Sequence, residues 1–472
     1  GGGRSLTVFS IGSRDLPPAF VGLSVAAGAT STATFVVNPG LVYLYGWSGF
    51  VAIFFASSLG FFVGLIIFSK RFRQIGDRFS ALTLPQWIGD RYGSEGLKLF
   101  FSGLSFLNVA YIVLIAVAMS LVLAKTLGIA PLTALIFIVL FTYGYILVGG
   151  AGTHVLANVV QAGVMVIVAV ILVGSAREIF SAGLFSRAAD IAPHYASWTN
   201  PDSQLYRDLF EVFGAQFVVG IAAALLPHLI AKPLYLRRES DVNVYLGTAV
   251  VAVLVFKSVL IVGIAARMYL EGDVLPPDQV MATYIVERFS PVMRALVGLG
   301  VMSAGFSTLE GIVLSLSTIF SNDILGPLAR KRGTSVDWEA RAVRLSRWFI
   351  VALAPITIAL SYRQIVAPSL SVIIFAFNGI FGIMVASVVP VSFGIYVARP
   401  PVRWLFASSL VALGVFYSIV WFDLTPYHDN PMVPATLAIV ASFVVMIFGM
   451  FVSGSSWERL SANEPAVRGR AS

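Results

Sequence analysis

The chain has 472 residues, 58% of them hydrophobic and only 11% charged, with a mean hydropathy of +0.89. Soluble domains carry about 25% charged residues, and no single soluble core buries so much apolar surface, so over much of its length the chain's solvent is lipid. The net charge of +8 suits basic loops held against anionic lipid and argues against a nucleic-acid partner; the lack of Cys excludes disulfides, thiol catalysis and Cys-ligated zinc, and four scattered His form no metal-binding motif.

A helix that crosses a bilayer needs about 20 apolar residues. Twelve segments qualify: 17–46, 48–69, 97–124, 130–148, 153–174, 212–231, 244–269, 291–320, 343–361, 367–397, 402–421 and 432–453. Several exceed one bilayer thickness, which predicts tilt, kinks or ends outside the membrane. The first span reads AAGATSTATFVVNPG from Ala26 to Gly40, rich in small and hydroxyl residues around its middle, with Pro39 beyond. A polar, aromatic loop over 175–211 is expected to carry a short surface helix. Span six reads GIAAALLPH from Gly220 to His228, with Pro227 near its end. Span seven holds Lys257 near its middle, a position that suits snorkelling, pairing or contact with a substrate carboxylate. Residues 271–290 predict a second external helix, placed to act as a lid. Span eight reads SAGFSTLEGIVLSLSTIFSNDI from Ser303 to Ile324 and sets the hydroxyls of Ser307 and Thr308 side by side in an apolar helix.

An even number of spans puts both ends of the chain on one side. With that side cytoplasmic, 22 of the 31 Lys and Arg residues lie in cytoplasmic segments, eight lie outside and Lys257 lies within a span. This is the asymmetry the positive-inside rule demands. Spans one and six are five helices apart, and both carry small residues and Pro where a helix could unwind. The spacing fits an inverted repeat of five plus five helices, roughly 17–174 and 212–397. The helices over 402–453 are then additions, and 1–472 is a single transmembrane domain. Unwound turns expose backbone carbonyls at the bilayer midplane, where a hard cation needs oxygen ligands. The plainer reading of each segment is a kink. Ser307 and Thr308 would complete such an oxygen set, or else bond back to carbonyls one turn earlier.

Several stretches together resemble the sodium:solute symporters, a family that includes bacterial sodium/proline and sodium/galactose carriers. They are the N-terminal GGRSL, ALTLPQWIGDRYG (Ala81–Gly93), the VGG turn (Val148–Gly150), LPHLIAKP in span six and FSTLEGIVLSLSTIFSNDIL in span eight. The resemblance runs from residue 2 to about 400. It implies an all-α polytopic LeuT-like fold, with an extra helix before residue 1, in keeping with a chain that opens on Gly1 rather than Met. It implies Na+ as the coupled ion, held by the carbonyls of Ala27, Thr30 and Ala304 and the hydroxyls of Ser307 and Thr308. It places the solute beside the break in span one, with Ser31, Thr32, Asn108, Tyr111 and Asn378 as candidates; Tyr111 matches a tyrosine of the proline carrier.

Two departures stand out. Where many members carry an Asp that supports sodium coupling, the run GGAGTHVLANVVQ puts Asn158. Glu310 stands in span eight where a small polar residue is common. An intramembrane carboxylate is costly, so the acid is expected to have moved from span five to span eight. Glu310 would then face Asn158 and serve a second cation or a proton. The alternative is a structural ion pair with Lys257.

The expected function is sodium-coupled import of a small organic solute by alternating access. An amino acid or organic acid is favoured over a sugar, because the Gly220–Leu226 face lacks aromatic and amide groups. The alternatives are a proton-coupled carrier and a transporter-like, solute-sensing domain of a larger signalling protein. No hydrolytic triad, nucleotide loop or metal cluster points to an enzyme. The chain is expected in the inner (plasma) membrane as a monomer, with a small solute, sodium and lipid as its partners.

Overall fold

A backbone in lipid must satisfy its polar groups internally, and the chain is accordingly helical along nearly its whole described length. The computed structural model describes residues 10, 16–177, 183–270, 273–331, 338–367, 372–458 and 460, the side chains of 149–153, 184, 185, 330 and 331 excepted. In chain order it begins with a bent pair, α1 (Pro18–Ala29) and α2 (Ala33–Tyr45). There follow α3 (Trp47–Phe79), the short, largely buried helix α4 (Leu84–Tyr92), α5 (Glu95–Leu127), α6 (Pro131–Val148) and α7 (His154–Ser175). A second bent pair, α8 (Phe210–Ala223) and α9 (Pro227–Tyr235), precedes α10 (Asp241–Tyr269), the short α11 (Pro277–Arg288) and α12 (Pro291–Ala329). The series ends with α13 (Trp338–Val366), α14 (Val372–Tyr396), α15 (Val402–Phe422) and α16 (Met432–Val452).

With each bent pair counted as one, the described residues hold twelve candidate spans, the number read from the sequence. The 175–211 loop carries the short helix Leu184–Ala189, and 271–290 holds α11, whose Val280–Ile285 stretch is buried. The helices α3 and α12 run farther than their apolar stretches suggested, to Phe79 and Ala329, because polar turns continue them beyond the hydrocarbon.

Both breaks have local causes. In the first pair the axis bends by 56°. Thr30 N still donates to the Ala26 carbonyl at 3.0 Å, and the chain restarts with Thr34 N on the Ser31 carbonyl at 2.8 Å and Ala33 N on Ser31 Oγ at 3.2 Å. In the second pair the bend is 54°. Proline disfavours helical geometry in the residue before it, and Leu226 is extended with φ −56° and ψ 131°. Pro227 then opens α9, where its missing N–H costs nothing.

The packing repeats itself between the two halves. The helix α1 lies against α10 and α3 against α8; α5 lies against α14 and α7 against α12. Exchanging the first five spans with the second five maps each pair onto its counterpart, which is the pattern of a five-plus-five inverted repeat. The helices α15 and α16 pack on each other and on α14.

The contact between α3 and α8 is a backbone-to-backbone approach. A Cβ on Gly60 would run into the Phe217 carbonyl, and one on Gly220 into the Ser57 carbonyl. Overpacking costs about 1–3 kcal/mol, so Gly220→Leu is expected to lower the melting temperature of the purified protein. Gly144→Ala, which meets open space, leaves it unlowered.

Candidate cation and solute site

The end of α1 presents its last carbonyls to α12. Ser307 Oγ lies 2.9 Å from the Ala27 carbonyl and 2.8 Å from that of Ala304. Thr308 Oγ1 lies 3.1 Å from the Gly28 carbonyl and 3.4 Å from those of Ala27 and Ala304. Three carbonyls and two hydroxyls therefore converge in a buried place without a formal charge of their own. The carbonyl end of a helix also carries the negative pole of its dipole. Neutral hard oxygens at such a pole fit a monovalent hard cation.

Four of the five expected sodium ligands, Ala27, Ala304, Ser307 and Thr308, meet in this cluster. Thr30 is at the break, but its hydroxyl turns back to the Ala26 carbonyl. The carbonyl that Thr308 meets beside Ala27 is that of Gly28, which the sequence reading did not include. Gly28 stands two residues before Thr30, within α1 itself.

Beside the break lies a cavity of about 180 Å³ bounded by α1, α2, α3, α5, α8, α10 and α14. Ser31 and Tyr111 line it, and Tyr111 Oη donates to Ser31 Oγ at 3.1 Å. The other polar groups on its wall include Gln216, His228 and Lys257; much of the rest is apolar, with Leu114, Val219, Phe377 and Phe381. Three expected solute contacts fall on other faces. Thr32 is turned towards Gly305 of α12. Asn108 folds back, its Nδ2 donating to the Ser105 carbonyl at 3.0 Å. Asn378 is passed over in favour of its neighbour Phe377, which faces the cavity. Each lies in the right segment but the wrong way round the helix, because a helix presents only one face to a cavity.

The coupling candidates also separate. Glu310 and Lys257 do not form the ion pair entertained from the sequence. Lys257 points into the cavity and donates to the Ile53 carbonyl at 3.1 Å, where the wide π-helical turn Val51–Ala56 of α3 opens that group to a further donor. Glu310 lies on α12 and meets α7: its Oε2 is 2.9 Å from His154 Nδ1, and Gln161 Nε2 donates to its Oε1 at 2.8 Å. Asn158 is nearby, but its Nδ2 donates to Ser24 Oγ of α1 at 2.9 Å, and His154 occupies the space between Asn158 and the carboxylate. His154 and Asn158 are four residues apart and so share a helix face, the one sequence signal that could have marked His154.

A twelve-span bundle with two broken helices, a cation-fitting oxygen cluster and an adjoining solute cavity defines a cation-coupled membrane carrier. The chain belongs to the sodium:solute symporter family, whose profile matches residues 9–412. The sodium/pantothenate symporter of Haemophilus influenzae is 22% identical over 460 residues, covering 94% of this chain and 90% of the relative. A Na+-coupled sialic acid symporter in its substrate-bound outward-open state superposes with a TM-score of 0.75 at 15% identity, over 94% of this chain and 93% of that one. MhsT in complex with L-phenylalanine superposes with a TM-score of 0.54 at 13% identity, over 92% of this chain and 98% of that one. The fold is LeuT-like, and the protein is a transporter, not an enzyme.

A hydrogen bond or ligand contact to a charged group contributes about 1.5–3 kcal/mol, which is about tenfold or more in affinity. Ser307→Ala is therefore expected to raise the Na+ concentration for half-maximal thermal stabilisation by about tenfold or more. Thr308→Ser, which keeps the hydroxyl, shifts it little.

Proposed function

We propose that this chain imports a small organic acid together with Na+ by alternating access. It does so across the plasma membrane, with both ends of the chain cytoplasmic, and it works as a monomer. The observation that carries the substrate class is Lys257. It is an ammonium on the wall of a largely apolar cavity, and among the described residues no acidic side chain lines that cavity. Among the described residues its acceptor is the Ile53 carbonyl, while an ammonium has three donors. A carboxylate fits the remaining two. An amino acid would bring an ammonium of its own, for which the cavity offers no anion, so an organic acid is favoured over an amino acid. Pantothenate, the solute in the name of the Haemophilus influenzae relative, is itself a monocarboxylate.

The coupling follows from shared structure. Ala27 and Gly28 belong to the sodium oxygens, while Ser31, three residues on, lines the cavity. An ion that pins the end of α1 against α12 therefore fixes the backbone on which the solute docks. Binding of one stabilises the conformation that binds the other.

Uptake into proteoliposomes tests this reading. With an inward Na+ gradient, labelled pantothenate or a short monocarboxylate is expected to accumulate, and proline and hexoses are not. Lys257→Met is expected to weaken apparent solute affinity by about tenfold or more, as loss of a charge-assisted contact implies, while Na+ still stabilises the protein. Accumulation of a hexose or of proline alone would contradict the organic-acid assignment, and uptake indifferent to Na+ for every solute would contradict the coupling.

A further inference from the structure

One helical turn from the sodium oxygens, α1, α7, α9 and α12 converge on a second, charged cluster. Lys232 of α9 is 2% exposed. Its Nζ donates to Ser24 Oγ of α1 at 2.7 Å and lies 2.7 Å from His154 Nε2. The other ring nitrogen, Nδ1, is the one at 2.9 Å from Glu310 Oε2. An ammonium has donors and no acceptor, so Nε2 accepts from Lys232. The ring then carries its proton on Nδ1 and donates it to the carboxylate. One neutral imidazole thus joins one cation to one anion, and the three side chains together are neutral.

The surroundings are those of a cation site. Beside the Glu310 carboxylate and Ser24 Oγ stand the amide oxygens of Asn158 and Gln161, both buried and without a donor. Asn158 itself is 0% exposed. Acceptors outnumber the donors that reach them, and the positive charge that balances them is supplied by the chain itself.

We propose that the Lys232 ammonium is a tethered cation that takes the place of a second coupling ion and limits the carrier to one Na+. A Na+ added beside the neutral Lys232–His154–Glu310 set would be an uncompensated charge at membrane depth, which is strongly unfavourable. Removing the lysine reverses the balance: Glu310 becomes an unpaired buried anion, ringed by oxygens suited to Na+. The lysine also joins α9, the second half of the second broken pair, to α1, the first half of the first, so the fixed charge ties the two broken helices together. The proposal relies on the sodium reading above only for the first ion.

Equilibrium binding of radiolabelled Na+ to the purified full chain counts the ions. Wild type is expected to bind one with a Hill slope near one, Lys232→Met to bind two, and Lys232→Met/Glu310→Gln to return to one. Ser307→Ala separates the two sites: at Na+ concentrations near the wild-type half-saturation it leaves the first site largely empty, and in Lys232→Met/Ser307→Ala one ion remains. If the first site fails to bind in wild type, the count for Lys232→Met rises from none to one. Two ions in wild type, or the same count in Lys232→Met as in wild type, overturns the proposal. If Lys232→Met is too unstable to isolate for counting, its melting temperature in NaCl against choline chloride is the readout. Selective stabilisation by Na+ that the Glu310→Gln double variant loses supports the tethered cation, and equal melting in both salts overturns it.

Discussion

The carbonyl end of α1, facing two hydroxyls of α12, is the interaction on which the rest depends. A helix that stops inside a membrane leaves backbone acceptors that hydrocarbon cannot satisfy. Here Ser307 and Thr308 reach the Ala27 and Gly28 carbonyls from a helix about 280 residues away in sequence. That single meeting turns a defect in a span into a place for a cation. It also joins the first half of the repeat to the second.

Two buried lysines show how the same group acquires different roles from its partners. Taking an ammonium out of water costs several kcal/mol unless it is paired. Lys232 has two acceptors, Ser24 on one side and on the other a neutral histidine that bridges it to Glu310, and its Nζ lies 5.5 Å from the centre of the Tyr235 ring. Lys257 is only partly matched: among the described residues it has one backbone carbonyl as acceptor, and a cavity lies in front of it. The satisfied lysine has no call for an outside anion. The under-satisfied one does, and it shares the cavity beside the helix break.

Much of this was legible in the sequence because the membrane simplifies it. Hydrophobic length set the spans, and the Lys and Arg asymmetry their expected orientation. Small residues and Pro227 marked the two breaks, and adjacent hydroxyls at Ser307 and Thr308 marked the partner helix. What could not be read was rotation about a helix axis. Thr32, Asn108 and Asn378 lie in the expected segments but on other faces, and Gly28 carries no side chain to advertise its carbonyl. The Lys232–His154–Glu310 set escaped because its members are scattered over three spans and no local pattern joins them. Glu310 drew attention as a lone intramembrane acid, yet its partner was expected to be Asn158 or Lys257 rather than the histidine one turn before Asn158. Only the packing of α7 against α12, and of α9 against α1, brings these residues together.

The central claim is that Na+ binds at the α1 break and holds it against α12. Amide hydrogen–deuterium exchange of the purified protein in NaCl and in KCl reads this directly. The account predicts slower exchange in NaCl for peptides covering residues 26–34 and 302–310, with the difference lost in Ser307→Ala. Exchange in both segments that is the same in the two salts would contradict it.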